Sequence, residues 1–280
     1  SYSPENHYRV DGKEYTLALS NTCDILLIRE ILTIALKAAE ILKKEGILAP
    51  VPGMASEEEL KERLVRLPPY QISESGRIQE WFYDFEEPDV SHRHTSHLLG
   101  LYPFRQITAE KTPELAAAAE KSIRVRYAAY EMTSWGMAMY LGYEARLKQQ
   151  KACWEGIRTV FRELVKPNLV SVMGDESAMW QGTWELDGNT GITAAMTELM
   201  IQCDEDEVWV LPALPEEWAS GKLTGISLHH ARTADLYWEN CELIRLVIHP
   251  EKDGRIRIHG KNIETDVTLH AGEDFEYRRK

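Results

Sequence analysis

Apolar residues recur at two different spacings in this chain, and the spacing changes once, near residue 204. Before that point they return every three or four residues, the period of one helix face. Beyond it they alternate with polar residues, the period of a half-buried strand. One layer of structure cannot serve both periods. The sequence therefore predicts a helical body over residues 1–203 and a β module over residues 204–280.

Within the helical part, residues 21–44 place Leu26, Leu27, Ile31, Ile34, Ala35, Ala38, Ile41 and Leu42 at helical spacing and end before Gly46. Ser56 and Glu59 have the spacing of a capping box, opening a helix through Val65 that Pro68-Pro69 stops. Thr112-Pro113 opens another, with proline at the first helical position, where its missing N–H is no loss. Further helical patterns cover residues 133–148, 151–165 and 190–202, whereas residues 1–20 read as irregular. In the β part, Val208-Trp209-Val210-Leu211 reads as a strand. Alternating runs follow at 223–230, 234–238, 243–249, 255–259 and 266–270, split by Gly221, Asn240, Asp253-Gly254 and Gly272. That even spacing predicts a small antiparallel sandwich.

Charge removes two classes of partner. The formal net charge is −13, and no basic run with interleaved aromatics occurs. Nucleic acid and anionic membrane surfaces both call for the opposite sign, and no apolar run is long enough to cross a bilayer. The four cysteines (Cys23, Cys153, Cys203, Cys241) show no C-x-x-C and no zinc spacing, so reduced thiols are expected. The chain starts on Ser1-Tyr2-Ser3-Pro4 without Met, so the native beginning is expected upstream and location stays open. Eight tryptophans and twelve tyrosines serve core packing and sugar platforms equally well.

The densest chemistry lies in His92-Arg93-His94-Thr95-Ser96-His97, between acidic Asp84, Glu86, Glu87, Asp89 and apolar Leu98-Leu99-Gly100-Leu101. Histidines at i, i+2 and i+5 share no face of a helix or strand. They suit a loop that enters a helix and turns donors toward one pocket. Three readings stay open: an exposed polar loop with one structural histidine, a metal site, or a site gripping a hydroxyl-rich or anionic ligand. Glu5, in Ser3-Pro4-Glu5-Asn6, has no cationic sequence neighbour closer than His7; buried, it would hold its proton and serve as an acid. Exposed, it would be an ordinary surface carboxylate. Asp187 lies in Trp184-Glu185-Leu186-Asp187-Gly188-Asn189-Thr190-Gly191, where turn residues precede a helix and Asn189 or Thr190 is the expected N-cap. Trp135, in Thr133-Ser134-Trp135-Gly136, opens a helix and reads as packing or as ligand contact.

Taken in order, Ser-Pro-Glu-Asn-x-Tyr, Gln79-Glu80-Trp81, His-Arg-His-x-Ser-His-Leu-x-Gly-Leu-Tyr-Pro, Thr-x-Trp, Asp-Gly-Asn-x-Gly and Leu211-Pro212-Ala213-Leu214-Pro215 with Trp218 resemble glycoside hydrolase family 95. These are inverting α-L-fucosidases, with some α-L-galactosidases. The resemblance runs over essentially the whole chain. It implies a partial (α/α)6 toroid followed by a small β-sandwich domain. It also implies a fucosylated oligosaccharide or glycan as substrate, no cofactor and no metal, and a secreted or periplasmic setting. It puts the general acid on Glu5. Asp187 becomes the carboxylate that polarises a water-activating asparagine. The sugar subsite falls on His92, Arg93, His94 and His97, with Trp135 and Asn189 as further substrate contacts.

Some features depart from the family pattern. No Asn-x-Asn segment precedes Glu5, and about half of the twelve toroid helices are absent, so the chain reads as the C-terminal part of a longer enzyme whose N-terminal barrel half is its missing partner. Asp-Gly-Asn-Thr-Gly-Ile stands where Asp-Gly-Asn-Phe-Gly-Gly is usual, and Thr133-Ser134-Trp135-Gly136 where Thr-Gly-Trp-Ser is common. The alternatives are a non-catalytic carbohydrate-binding relative and another (α/α)6 sugar-active enzyme, such as a lyase or phosphorylase.

Overall fold

The computed structural model describes residues 5–47, 53–128, 133–173 and 182–279. These form two compact units, Ser1–Tyr130 and Glu131–Lys280.

The first unit opens on a hairpin of β1 (Tyr8–Val10) and β2 (Lys13–Tyr15), within a stretch the sequence marks as irregular. Asp11 and Gly12 turn it with φ of 50° and 74°, the paired positive angles of a type I′ turn. Helix α1 (Thr22–Lys44) follows as expected. Gly46, at φ 68°, ends it: its N–H reaches Lys43 O and that of Ile47 reaches Leu42 O, a Schellman closure that satisfies carbonyls the helix leaves open. The capping box of α2 (Glu57–Val65) forms in both directions. Glu59 N donates to Ser56 Oγ at 3.1 Å, and Ser56 N donates to Glu59 Oε2 at 2.7 Å.

A long irregular segment then runs to α3 (Pro113–Arg126), which carries proline in its first turn. Side chains pin that segment. Gln106 accepts from Tyr70 Oη at 2.8 Å and donates to Leu26 O at 3.0 Å and to Glu30 Oε2 at 2.8 Å. Leu26, Leu98, Leu101, Ile107 and Ile123 are buried. Beyond its first turns α1 leaves Ile28, Ile31, Ile34 and Ile41 exposed.

The second unit contains α4 (Ser134–Arg146), α5 (Gln150–Thr159) and α6 (Leu186–Met200). The helix expected over 151–165 widens at its end into a π turn, Val160–Leu164. Helix α4 packs on α6, burying Met137, Ala138 and Leu141 from one and Ile192, Ala195 and Leu199 from the other. Two four-stranded sheets follow. One has the order β10-β7-β6-β5, from β5 (Gly221–Leu228), β6 (Arg232–Glu239), β7 (Glu242–Pro250) and β10 (Phe275–Arg278). The other has the order β3-β4-β8-β9, from β3 (Ile201–Asp204), β4 (Glu207–Val210), β8 (Gly254–Gly260) and β9 (Ile263–Leu269).

Both sheets feed one core, in which Val208, Val210, Leu236, Leu246, Ile248, Ile256 and Ile258 meet. This is a sandwich, with one difference from a purely antiparallel one: β8 runs parallel to β4. The chain leaves β4 for the other sheet and returns as β8 after three strands, so no hairpin dictates their relative direction.

Candidate active site

In the first unit the fold brings Glu5 to the histidine loop. Arg93 Nη2 donates to Glu5 Oε2 in a very short contact, and His94 Nε2 lies 3.9 Å from the same oxygen. Residues 88 apart in sequence thus share one corner. Glu5 is half exposed, with its side chain at 53%, the exposed one of the two placements the sequence left open. An arginine that is remote in sequence supplies the cation the local sequence lacks. His7, the nearest basic side chain in sequence, turns instead to Glu14 at 3.3 Å.

His92 and His94 stand edge to face at 4.9 Å between ring centroids. His92 is buried, and burial first, then His94 and Arg126, pushes its pKa down to about 4. Burial and Arg93 also lower the pKa of His94. Both rings are therefore neutral near pH 7, each with one donor and one acceptor nitrogen, the pairing a sugar hydroxyl needs. The loop enters a single 3-10 turn, Ser96–Leu98, where the sequence suggests the start of a helix.

His97 is placed differently from the other two. It is 2% exposed and lies behind the loop with Nδ1 3.4 Å from Glu80 Oε2. Burial, with Arg126 and Arg77 nearby, holds its pKa well below the usual value.

Glu80 is the residue that motif reading passed over, although it sits in Gln79-Glu80-Trp81. It is buried, and burial pushes its pKa up to about 7 against the pull of Arg126. Its Oε2 accepts from Asn6 Nδ2 at 2.9 Å and from Arg126 Nη2 at 2.6 Å. Glu87 joins the cluster, taking Asn6 at 3.2 Å, Arg126 at 2.5 Å and Arg77 at 2.9 Å. Among the described residues, Glu5, His92 and His94 are the group whose ligand atoms lie close enough to take a metal ion, within 4.8 Å of one another.

In the second unit, α6 begins four residues earlier than the sequence indicates. Asp187 and Asn189 lie inside its first turn, and Glu185, not Asn189 or Thr190, occupies the N-cap position. Asp187 is exposed, with Oδ1 accepting from Gly188 N at 3.0 Å. The carboxamide of Asn189 is engaged at both ends. Its oxygen accepts from Ser171 N, Ser171 Oγ and Trp184 Nε1 at 2.9–3.1 Å, and its nitrogen donates to Leu169 O at 2.8 Å. Trp135, half-buried, opens α4 and donates its backbone N–H to Glu185 Oε2 at 3.3 Å.

Profiles of known families match this chain end to end. That of the glycosyl hydrolase family 95 catalytic domain matches residues 1–200, and that of the glycoside hydrolase family 95 C-terminal domain matches residues 202–279. The chain is 30% identical to alpha-L-fucosidase 2 of Arabidopsis thaliana, over 99% of this chain and 32% of that protein. It is 26% identical to the probable alpha-fucosidase A of Aspergillus oryzae, over 76% of this chain and 32% of that one. The chain thus spans about a third of the length of these curated relatives. A putative kojibiose phosphorylase from human microbiome shares the fold at TM-score 0.50 and 10% identity, covering 93% of this chain and 40% of that one.

Proposed function

Since the chain belongs to glycoside hydrolase family 95, we propose that it carries the acid, the water-polarising carboxylate and much of the sugar subsite of an α-L-fucosidase or α-L-galactosidase that works with inversion. The observation that carries this reading is the Glu5 carboxylate lying on Arg93 and beside His94, in the loop whose sequence marks the subsite. An inverting hydrolase needs a proton delivered to the leaving oxygen and a water activated on the opposite face of the ring. Glu5 takes the first role and Asp187 the second, through an asparagine supplied from upstream. The neutral rings of His92 and His94 exchange hydrogen bonds with sugar hydroxyls, and Arg93 orients Glu5. Trp135 and Asn189 are further substrate contacts on this reading, and the Asn189 carboxamide also holds the segment around Ser171 in place.

Residues 1–203 are read as the C-terminal half of a catalytic barrel and 204–280 as a β domain, a division supported by separate family matches to residues 1–200 and 202–279, although the first strand of the β domain already starts at Ile201. The exposed isoleucines of α1 form a stripe of the kind that neighbouring helices cover in an (α/α)6 body. The rest of the barrel is their natural partner and the source of the upstream asparagine. A fucosylated glycan is the substrate class.

The test is direct. The full-length protein is mixed with an aryl α-L-fucoside and the first-formed sugar is read by proton NMR. Early appearance of the β anomer supports the reading; the α anomer, or no turnover of either fucoside or galactoside, refutes it.

A further inference from the structure

Glu80 lies at the junction of two short connections that end on the residues named above. On one side Asn6, the residue next to Glu5, donates to Glu80 Oε2 at 2.9 Å. On the other, Arg126 donates to the same oxygen at 2.6 Å. The Nη1 of Arg126 reaches the backbone carbonyls of Asp89 at 3.3 Å and Val90 at 3.2 Å, just before His92. Glu80 is itself fixed through the main chain, where its carbonyl accepts from Thr22 N at 3.0 Å at the start of α1.

The charges here are costly. The side chains of Glu80 and Arg126 are each 2% exposed. Among the described residues, Glu80 Oε1, Asn6 Oδ1 and Arg126 Nε make no hydrogen bond. Buried ion pairs of this kind add little net stability over well-packed apolar side chains of the same volume. An apolar replacement, however, could not grip a carboxamide on one side and two carbonyls on the other. The arrangement is therefore better matched to geometry than to stability.

We infer that Glu80 is a positioning residue: through Asn6 and Arg126 it sets the placement of Glu5 relative to His92, Arg93 and His94. This rests on the catalytic reading of Glu5 given above. Displacing a proton donor by about 1 Å costs on the order of 10²-fold in rate. The loss falls on substrates that need the proton most.

The experiment uses the full-length protein and the variants Glu80→Gln and Asn6→Ala. The second removes the Asn6 bonds to Glu80 and Glu87 on the Glu5 side and leaves the Glu80–Arg126 pair in place. For each, kcat and KM are measured on an activated aryl α-L-fucoside and on a fucosylated oligosaccharide. The expected result is a kcat loss of about 10–100-fold on the oligosaccharide and less than about threefold on the aryl substrate, in both variants. A further rise in KM is expected only for Glu80→Gln, which also loosens the histidine loop. Equal loss on both substrates, tracking the fraction of folded protein, overturns the inference.

Histidine-selective NMR of the same variants separates this outcome from failure of the catalytic reading. If the wild-type protein turns over neither substrate, the catalytic reading fails. The positioning claim then stands only if Glu80→Gln shifts the ring resonances of His92 and His94, and falls if they stay in place.

Discussion

The backbone N–H of Ser134 donates to Glu185 Oε2 at 2.8 Å, tying the first residue of α4 to the residue that precedes α6. The Ser134 hydroxyl donates to the same oxygen, and the Trp135 N–H completes the set at 3.3 Å. A carboxylate at a helix N-terminus meets both open N–H groups and the positive end of the helix dipole. Glu185→Ala leaves buried Ser134 without its acceptor, and we expect a loss of about 2 kcal/mol. Urea unfolding of the full-length protein measures it; a change under about 0.5 kcal/mol would show that the cap carries no weight.

The same junction depends on Gly188. A Cβ there would lie 2.0 Å from Ser134 Oγ and 2.8 Å from Ser171 Oγ. Gly188→Ala forces α6 away from α4, with an expected loss of about 1–3 kcal/mol. The substitution should also disturb Trp135, because its backbone is held from the same side. A thermal midpoint within a degree of wild type would contradict the close approach.

The pH dependence of stability has a defined sign at His92. Burial lowers its folded-state pKa to about 4, below the ordinary 6.5 that the unfolded chain restores. Between those values the unfolded state binds the extra proton, so stability is complete above pH 6.5 and is lost as pH falls toward 4. A displacement of that size corresponds to about 3 kcal/mol. His92→Gln should flatten the loss of unfolding free energy between pH 6.5 and 4.5. An unchanged pH slope in that variant would place the titration elsewhere.

Metal is not required on this account, because Glu5 is engaged by Arg93 and the neutral histidines are assigned to hydroxyls. Prolonged EDTA dialysis of the full-length protein should leave kcat unaltered. Stoichiometric zinc held through Glu5, His92 and His94, with activity lost on its removal, would reverse the assignment.

The sequence carried the regular elements well because their signals are local. The capping box at Ser56 and Glu59, the proline at α3 and the alternation of the β module each act within a few residues. The hairpin at Asp11-Gly12 also has a local signal, the Asp-Gly turn, but its strands are too short to show alternation. The start of α6 was misplaced because Asp-Gly-Asn is turn chemistry by composition, while Glu185, engaged with Ser134 and Trp135 51 and 50 residues away, decides where the helix begins. The site divides in the same way. The histidine loop is dense enough to see in one dimension. Pairing of Arg93 with Glu5, and of Glu80 with Arg126, joins residues 88 and 46 apart, and no periodicity reports such contacts.

The central claim is the separation of roles between Glu5 and Asp187, and leaving-group dependence in the full-length protein tests it most directly. Glu5→Gln and Asp187→Asn are compared with wild type on an activated aryl α-L-fucoside and on a fucosylated oligosaccharide. Losing either group should cost on the order of 10²–10⁴-fold on the oligosaccharide. Glu5→Gln should recover in part on the aryl substrate, whose leaving group departs without a proton, whereas Asp187→Asn should be impaired on both alike because water attack fails whatever leaves. The same leaving-group dependence in both variants, or near wild-type turnover of the oligosaccharide by Glu5→Gln, would contradict the account.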